Sequence, residues 1–251
     1  MRQAMRVYAE TAWRRLRRGR LLWGSAVVAV LPLLVALIGV FHGRFGAGLF
    51  DESLEIYLRL LLPLAPVLLA AQVVGEEIEA RTFTFLWARP APRAALILGK
   101  CVVYALALLP GFLIGTLLTF AVAMVRADGA DVTAALPHLA RVGVTVLIGV
   151  PVYTALAAGV GTLVVRHPTL AGLLYVIVIE GLFASIAGVL KATAVSFYLR
   201  ALAGLQFSST PGVWEPRPSP VAAALVALLL GAGWLFLATW LVSDAEYREA
   251  R

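Results

Sequence analysis

Charge is what this sequence has least of. Asp, Glu, Lys and Arg make up 14% of its 251 residues, against 61% apolar residues and a mean hydropathy of +0.92. A soluble domain cannot hide that much apolar surface, which excludes an ordinary globular fold in water. Cysteine occurs once, at Cys101, so no intrachain disulfide can form and the redox compartment is not indicated. Histidine is limited to His42, His138 and His167, and asparagine is missing altogether. Strict alternation of apolar and polar residues is also missing, which favours helices over a transmembrane barrel.

What is there is a series of apolar runs. A helix needs about 20 residues to cross the ~30 Å hydrocarbon core. Leu21–Phe41, Cys101–Val125, Val142–Val165 and Val221–Val242 reach that length without a charge. Two more qualify with one charge each: Ile56 to about residue 75, holding Arg59, and Thr169–Leu190, holding Glu180 mid-run. The expectation is an all-α membrane protein, with residues 1–251 forming one transmembrane domain of six spans. Pro32, Pro63, Pro66, Pro110 and Pro151 are expected to kink their helices. The small-residue pairs Gly111/Gly115 and Ala157/Gly161 are read as packing contacts.

With the N-terminus inside, the inner segments hold 14 of the 21 Lys and Arg residues and the outer segments 7. That bias predicts a multi-pass protein of the plasma membrane with both termini cytoplasmic. The net charge of +7 is then topology and contact with anionic lipid headgroups. No nucleic-acid partner is expected, because the basic residues flank spans and no nucleic-acid motif accompanies them. In residues 1–20, Met1, Met5, Tyr8, Ala12 and Leu16 form one helical stripe, with Arg6–Glu10 and Glu10–Arg14 as i,i+4 pairs. This reads as an amphipathic helix on the inner surface or, equally, as a basic flank that sets topology. A signal peptide is disfavoured, since Leu21–Phe41 is too long and no cleavage site follows.

Between spans two and three lies a charged insertion, Glu76–Lys100. Glu77 and Arg81 pair at i,i+4, while Phe83, Leu86 and Trp87 give the same helix an apolar face. Pro90 and Pro92 end it, and Arg89, Arg93 and Lys100 are expected at the cytoplasmic surface before the next span. Two chemistries could use such a segment. Glu76-Glu77-x-x-x-Arg81 matches the EExxxR motif of CAAX-type intramembrane metalloproteases, which also need FxxxH and HxxxN-like motifs. Here the residues four before the histidines are Ile38, Ala134 and Leu163, and no Asn exists. No metal site can be assembled, and no catalytic residue is assigned.

The alternative is mechanical coupling. Glu76–Glu79, Arg81-Thr82, Leu86, Arg89-Pro90-Ala91-Pro92-Arg93 and Leu98-Gly99-Lys100 resemble the loop between spans two and three of the ABC type-2 permease family. Leu173-Leu174-Tyr175 to Glu180-Gly181 is similar to a subset of relatives without a fused ATPase. Arg81 departs from the glycine that many relatives carry there. The resemblance implies a permease subunit with an N-terminal cytoplasmic helix and a coupling helix, both gripped by separate ABC ATPase subunits. It further implies a second permease copy, as homodimer or heterodimer, and transport directed outward. Glu76, Glu77, Glu79, Arg81, Thr82, Phe83, Trp87, Arg89 and Arg93 are the candidate ATPase-coupling residues. ATP and Mg are expected in the partner: here Gly99-Lys100 is followed by Cys101 and position 94 is Ala, so no phosphate loop exists. A membrane scaffold without transport is the remaining alternative.

Glu180 is the candidate transport-path residue. A charge at mid-bilayer costs about 3 kcal/mol by insertion scales, so it should face protein or water. It either binds a polar or cationic substrate group or a proton in the path, or serves structure as a protonated Glu hydrogen-bonded to a neighbouring helix through Tyr153 or a carbonyl freed by Pro151. In the outer segment Lys191–Pro220, the spacing of Val195, Tyr198, Leu202 and Leu205 predicts a short helix that lies against the outer surface or dips partly into it. Pro211, Pro216, Pro218 and Pro220 predict an irregular return. Asp128 and Asp131 are too few for a metal site. The substrate is not legible.

Overall fold

The computed structural model describes residues 9–14, 20–71, 73, 94–186, 189–205 and 218–244. Among these there are helices and no strands. Residues 9–14 are helical, and seven longer elements follow. They are α1 (Arg20–Phe41), α2 (Ala47–Ala70), α3 (Ala94–Ala123), α4 (Gly129–Leu163), α5 (Pro168–Ser185), α6 (Val195–Ala203) and α7 (Pro220–Asp244). By length and composition α2, α3, α4, α5 and α7 can each cross a membrane, and α1 adds a shorter apolar helix, Val30–Phe41.

The elements match the apolar runs, α1 and α7 at both ends to within two residues, but several other ends differ. α2 starts at Ala47 instead of Ile56, α3 at Ala94 instead of Cys101, and α4 at Gly129 instead of Val142. Hydropathy sees where a run stops being apolar, whereas a helix continues as long as its backbone bonds are made. The added N-terminal parts of α2 and α4 carry Asp51, Glu52 and Asp131 beyond the apolar stretch. Lys100, expected to hold the start of this span at the cytoplasmic surface, lies seven residues into α3 with its side chain buried against protein. α5 ends early, at Ser185 instead of Leu190, and a 3₁₀ turn over Val189–Thr193 leads into α6.

Two helices change winding midway. α2 is π-helical over Tyr57–Leu61, and α5 over Val176–Leu182. In α2 the wide turn directly precedes Pro63, which lacks an N–H for the Arg59 carbonyl and whose ring would press on it in a regular α-helix.

α4 is the axis of the packing. It touches α7 most extensively, then α3 and α2, with α5 and α6 also against it, and α1 packs on α3 and α2. The most apolar window of α4 is 72% buried, that of α5 or α7 only 22%, so α5 and α7 carry the surface left for lipid or another chain. Close approach needs small residues. A Cβ on Gly161 would collide with the Ala71 carbonyl oxygen, so α4 and the end of α2 meet backbone to backbone.

Buried hydroxyls along these helices bond to their own backbone: Ser53 to Leu49, Thr116 to Phe112, Thr119 to Gly115 and Thr154 to Val150. Without water, that is the nearest acceptor at hand. Tyr57 reaches across and donates to the Phe112 carbonyl at 2.9 Å, tying α2 to α3.

Candidate functional site

The site grows out of an incomplete helix start. α6 opens with Ala194 at its N-cap, which has no side-chain oxygen for the first backbone N–H groups. Glu180, from the π-turn of α5, supplies what Ala194 lacks. Its Oε1 accepts the Val195 N–H at 3.0 Å and its Oε2 the Ser196 N–H at 2.9 Å. The carboxylate is fully buried and lies at the positive end of the α6 dipole, which suits a negative group. Tyr175 donates to Oε1 at 3.3 Å. The buried hydroxyls of Tyr153 and Ser196 interact with the carboxylate electrostatically, without the geometry of a full hydrogen bond. The sequence suggested Tyr153 or a carbonyl freed by Pro151 as partner. Tyr153 does lie beside the carboxylate, but the shortest hydrogen bonds come from N–H groups 15 and 16 residues further on, because a carboxylate oxygen is best satisfied by donors.

The neighbouring residue closes a second link. Arg59, in the π-turn of α2, donates to the Gly181 carbonyl at 2.6 Å. The two π-turns therefore meet, each carrying the single charge of its apolar run. Glu55, four residues before Arg59 and on the same face of α2, pairs with Arg200 of α6 at 2.9 Å. Burial lowers the pKa of the Arg200 guanidinium, Glu55 opposes the shift and Arg59 adds to it. A guanidinium tolerates this and stays charged. α2, α5 and α6 are thus joined in a closed circuit: α2 to α5 through Arg59, α5 to α6 through Glu180, α6 back to α2 through Arg200.

Beside the circuit is a cavity of about 740 Å³, lined among others by Phe50, Asp51, Glu55, Asp131, His138 and Leu205. His138 pairs with Asp51 at 2.8 Å, and Glu52 is bonded by Arg44. Asp128 and Asp131 stand at the start of α4, and among the described residues no group of three His, Cys, Asp or Glu could hold a metal ion.

Of the coupling and transport-path residues singled out from sequence, only Glu180 lies in the described part. Glu76, Glu77, Glu79, Arg81, Thr82, Phe83, Trp87, Arg89 and Arg93 lie outside it, as do Met1, Met5, Tyr8, Leu16, Pro211 and Pro216. Arg200 and Glu55 were not singled out. The signal for them was an arginine inside the predicted short helix and a Glu55/Arg59 pair at i,i+4. The predicted short helix is α6; it is buried on more than one face, including Ser196, Phe197 and Arg200, which fits a helix set into the protein and not one lying flat on it.

Residues 10–179 match a family model described as ABC-2 family transporter protein. The match covers α1 to α4 and most of α5 and ends one residue before Glu180. No curated protein matches the chain.

Proposed function

Because the chain belongs to the ABC-2 family of transporter proteins, we propose that it is the permease subunit of an ATP-driven transporter whose ATPase is a separate chain. The observation that carries this reading is the match across residues 10–179, which takes in four whole helices, most of a fifth and the charged loop between α2 and α3. A transporter membrane subunit, and not an enzyme, is what that family and the apolar helices support. The finer picture is ours. Residues 1–251 form one domain of six spans in the plasma membrane, both termini are cytoplasmic, and two permease copies frame the path. Two ATPases bind ATP with Mg and pull on the loop through Glu76, Glu77, Glu79, Arg81, Thr82, Phe83, Trp87, Arg89 and Arg93. Transport runs outward.

Glu180 enters as the residue that fixes α6 over one end of the path. The circuit through Arg59 and Arg200 supports a closed state held by hydrogen bonds that a substrate or a helix shift can exchange. Arg81→Glu tests the coupling reading. It should abolish co-purification of the ATPase or its stimulation while the permease still inserts and folds. Intact assembly together with intact stimulation would remove the loop from the mechanism.

A further inference from the structure

Lys100 is buried to 3% exposure, one position before Cys101 in a helix made almost wholly of apolar residues. Its Nζ donates to the Val73 carbonyl at 2.6 Å, across 27 residues of sequence. That carbonyl lies just past the end of α2, where the last turn leaves carbonyls without helical donors. In apolar surroundings such a group has no water to turn to, and an ammonium at a helix C-terminus also meets the favourable end of the dipole.

The same end of α2 is held from a second side. Gly161 of α4 lies directly against the Ala71 carbonyl, with no room for a Cβ. Val73 is thus gripped by a hydrogen bond from α3, and Ala71 by backbone contact from α4. Both ends of the charged loop, residues 74–93, attach to this base. Lysine is rare here and suited to such a bond, since only Lys100 and Lys191 are lysines among the 21 basic residues. A lysine ammonium is a compact donor on a long apolar stem, able to reach one carbonyl without a planar fork to satisfy.

We infer that Lys100 is a positioning residue for energy coupling: it pins the end of α2 to the second turn of α3, the two helices that flank the charged loop, so that force applied to the loop moves α2, α3 and α4 as one body. This rests on the reading of the loop as the ATPase contact. Loss of the pin should leave the docking surface in place and break the transmission behind it.

The test uses the full-length permease, alone and in complex with its co-purifying ATPase, as wild type, K100M and K100R. K100M keeps an apolar stem of similar length and removes the donor; K100R keeps a cation. In the permease alone, hydrogen exchange of peptides covering residues 67–73 and 94–99 should speed up roughly tenfold in K100M. In the complex, K100M should retain wild-type stoichiometry, while permease-dependent stimulation of ATP hydrolysis falls at least about threefold. K100R should recover much of both. If K100M yields no folded protein, K100Q, with a neutral donor on a shorter arm, is read in the same two assays. Unchanged exchange together with unchanged stimulation in the folded variant overturns the proposal. So does faster exchange with full stimulation, since the pin would then be structural only. If no ATPase accompanies even the wild type, the functional reading fails, and the exchange data still decide whether Lys100 joins α2 to α3.

Discussion

At the scale of single residues, the account turns on where each polar group inside the apolar helices finds its partner. Glu180 uses both oxygens on two N–H groups, so Glu180→Gln is not a silent substitution. The amide has one acceptor oxygen, and its NH₂ would face a backbone donor. The expected loss is about 1–3 kcal/mol, read as a lower unfolding temperature of the purified protein in detergent. An unchanged transition would mean that α6 does not depend on this cap. Tyr57→Phe removes the donor to Phe112 and a long, 3.3 Å acceptor for Thr116, which keeps its own bond to the Phe112 carbonyl, and should cost less, about 0.5–1.5 kcal/mol, in the same assay. That Glu180 must be satisfied inside the protein was legible from its place in an apolar run. Its partner was not, because the missing capping group is an absence at Ala194, and an alanine before a helix start carries no mark of what replaces it. The partner of Lys100 was not legible for a related reason: a lysine at the edge of an apolar run carries no mark of the Val73 carbonyl, 27 residues back, to which it donates.

At the scale of elements, the helices were legible, and so were the limits of α1 and α7, but the starts of α2, α3 and α4 were not. Apolar runs locate α3, α4 and α7, yet α2 and α4 start well before their apolar runs, in stretches holding Asp51, Glu52 and Asp131 that hydropathy leaves out. The π-turns of α2 and α5 were invisible, since the sequence shows a proline or a charge and not the register shift. The close contact of α4 with α2 makes a sharp comparison between two glycines of one helix. Gly161→Ala would drive a methyl into the Ala71 carbonyl and should cost about 1–3 kcal/mol. A Cβ on Gly143 meets nothing within 4 Å, so Gly143→Ala should be neutral or gain up to about 1 kcal/mol of helix propensity. Thermal unfolding of the two variants side by side checks the order, and equal behaviour would contradict the packing. The Glu55–Arg200 link is weaker. The Glu55 side chain is 50% exposed against 10% for Arg200, so solvent screens the pair, and a double-mutant cycle should return under about 1 kcal/mol of coupling.

At the scale of the whole molecule, a central helix, α4, is wrapped by its neighbours, while α5 and α7 leave broad apolar faces outward. Those faces suit lipid tails, and in the proposed assembly one of them meets a second permease. The membrane class followed from composition alone, and the family resemblance from short motifs in the charged loop. The circuit of α2, α5 and α6 did not follow from either, because it joins residues far apart in sequence. The central claim is that an ATPase in another chain drives these helices through the loop between α2 and α3. It is tested most directly by placing a photo-crosslinking amino acid at Trp87 and irradiating intact cells. The account predicts one dominant adduct, to a chain with a phosphate loop on the cytoplasmic side. Adducts to lipid or external proteins only, with no ATPase among them, would contradict it.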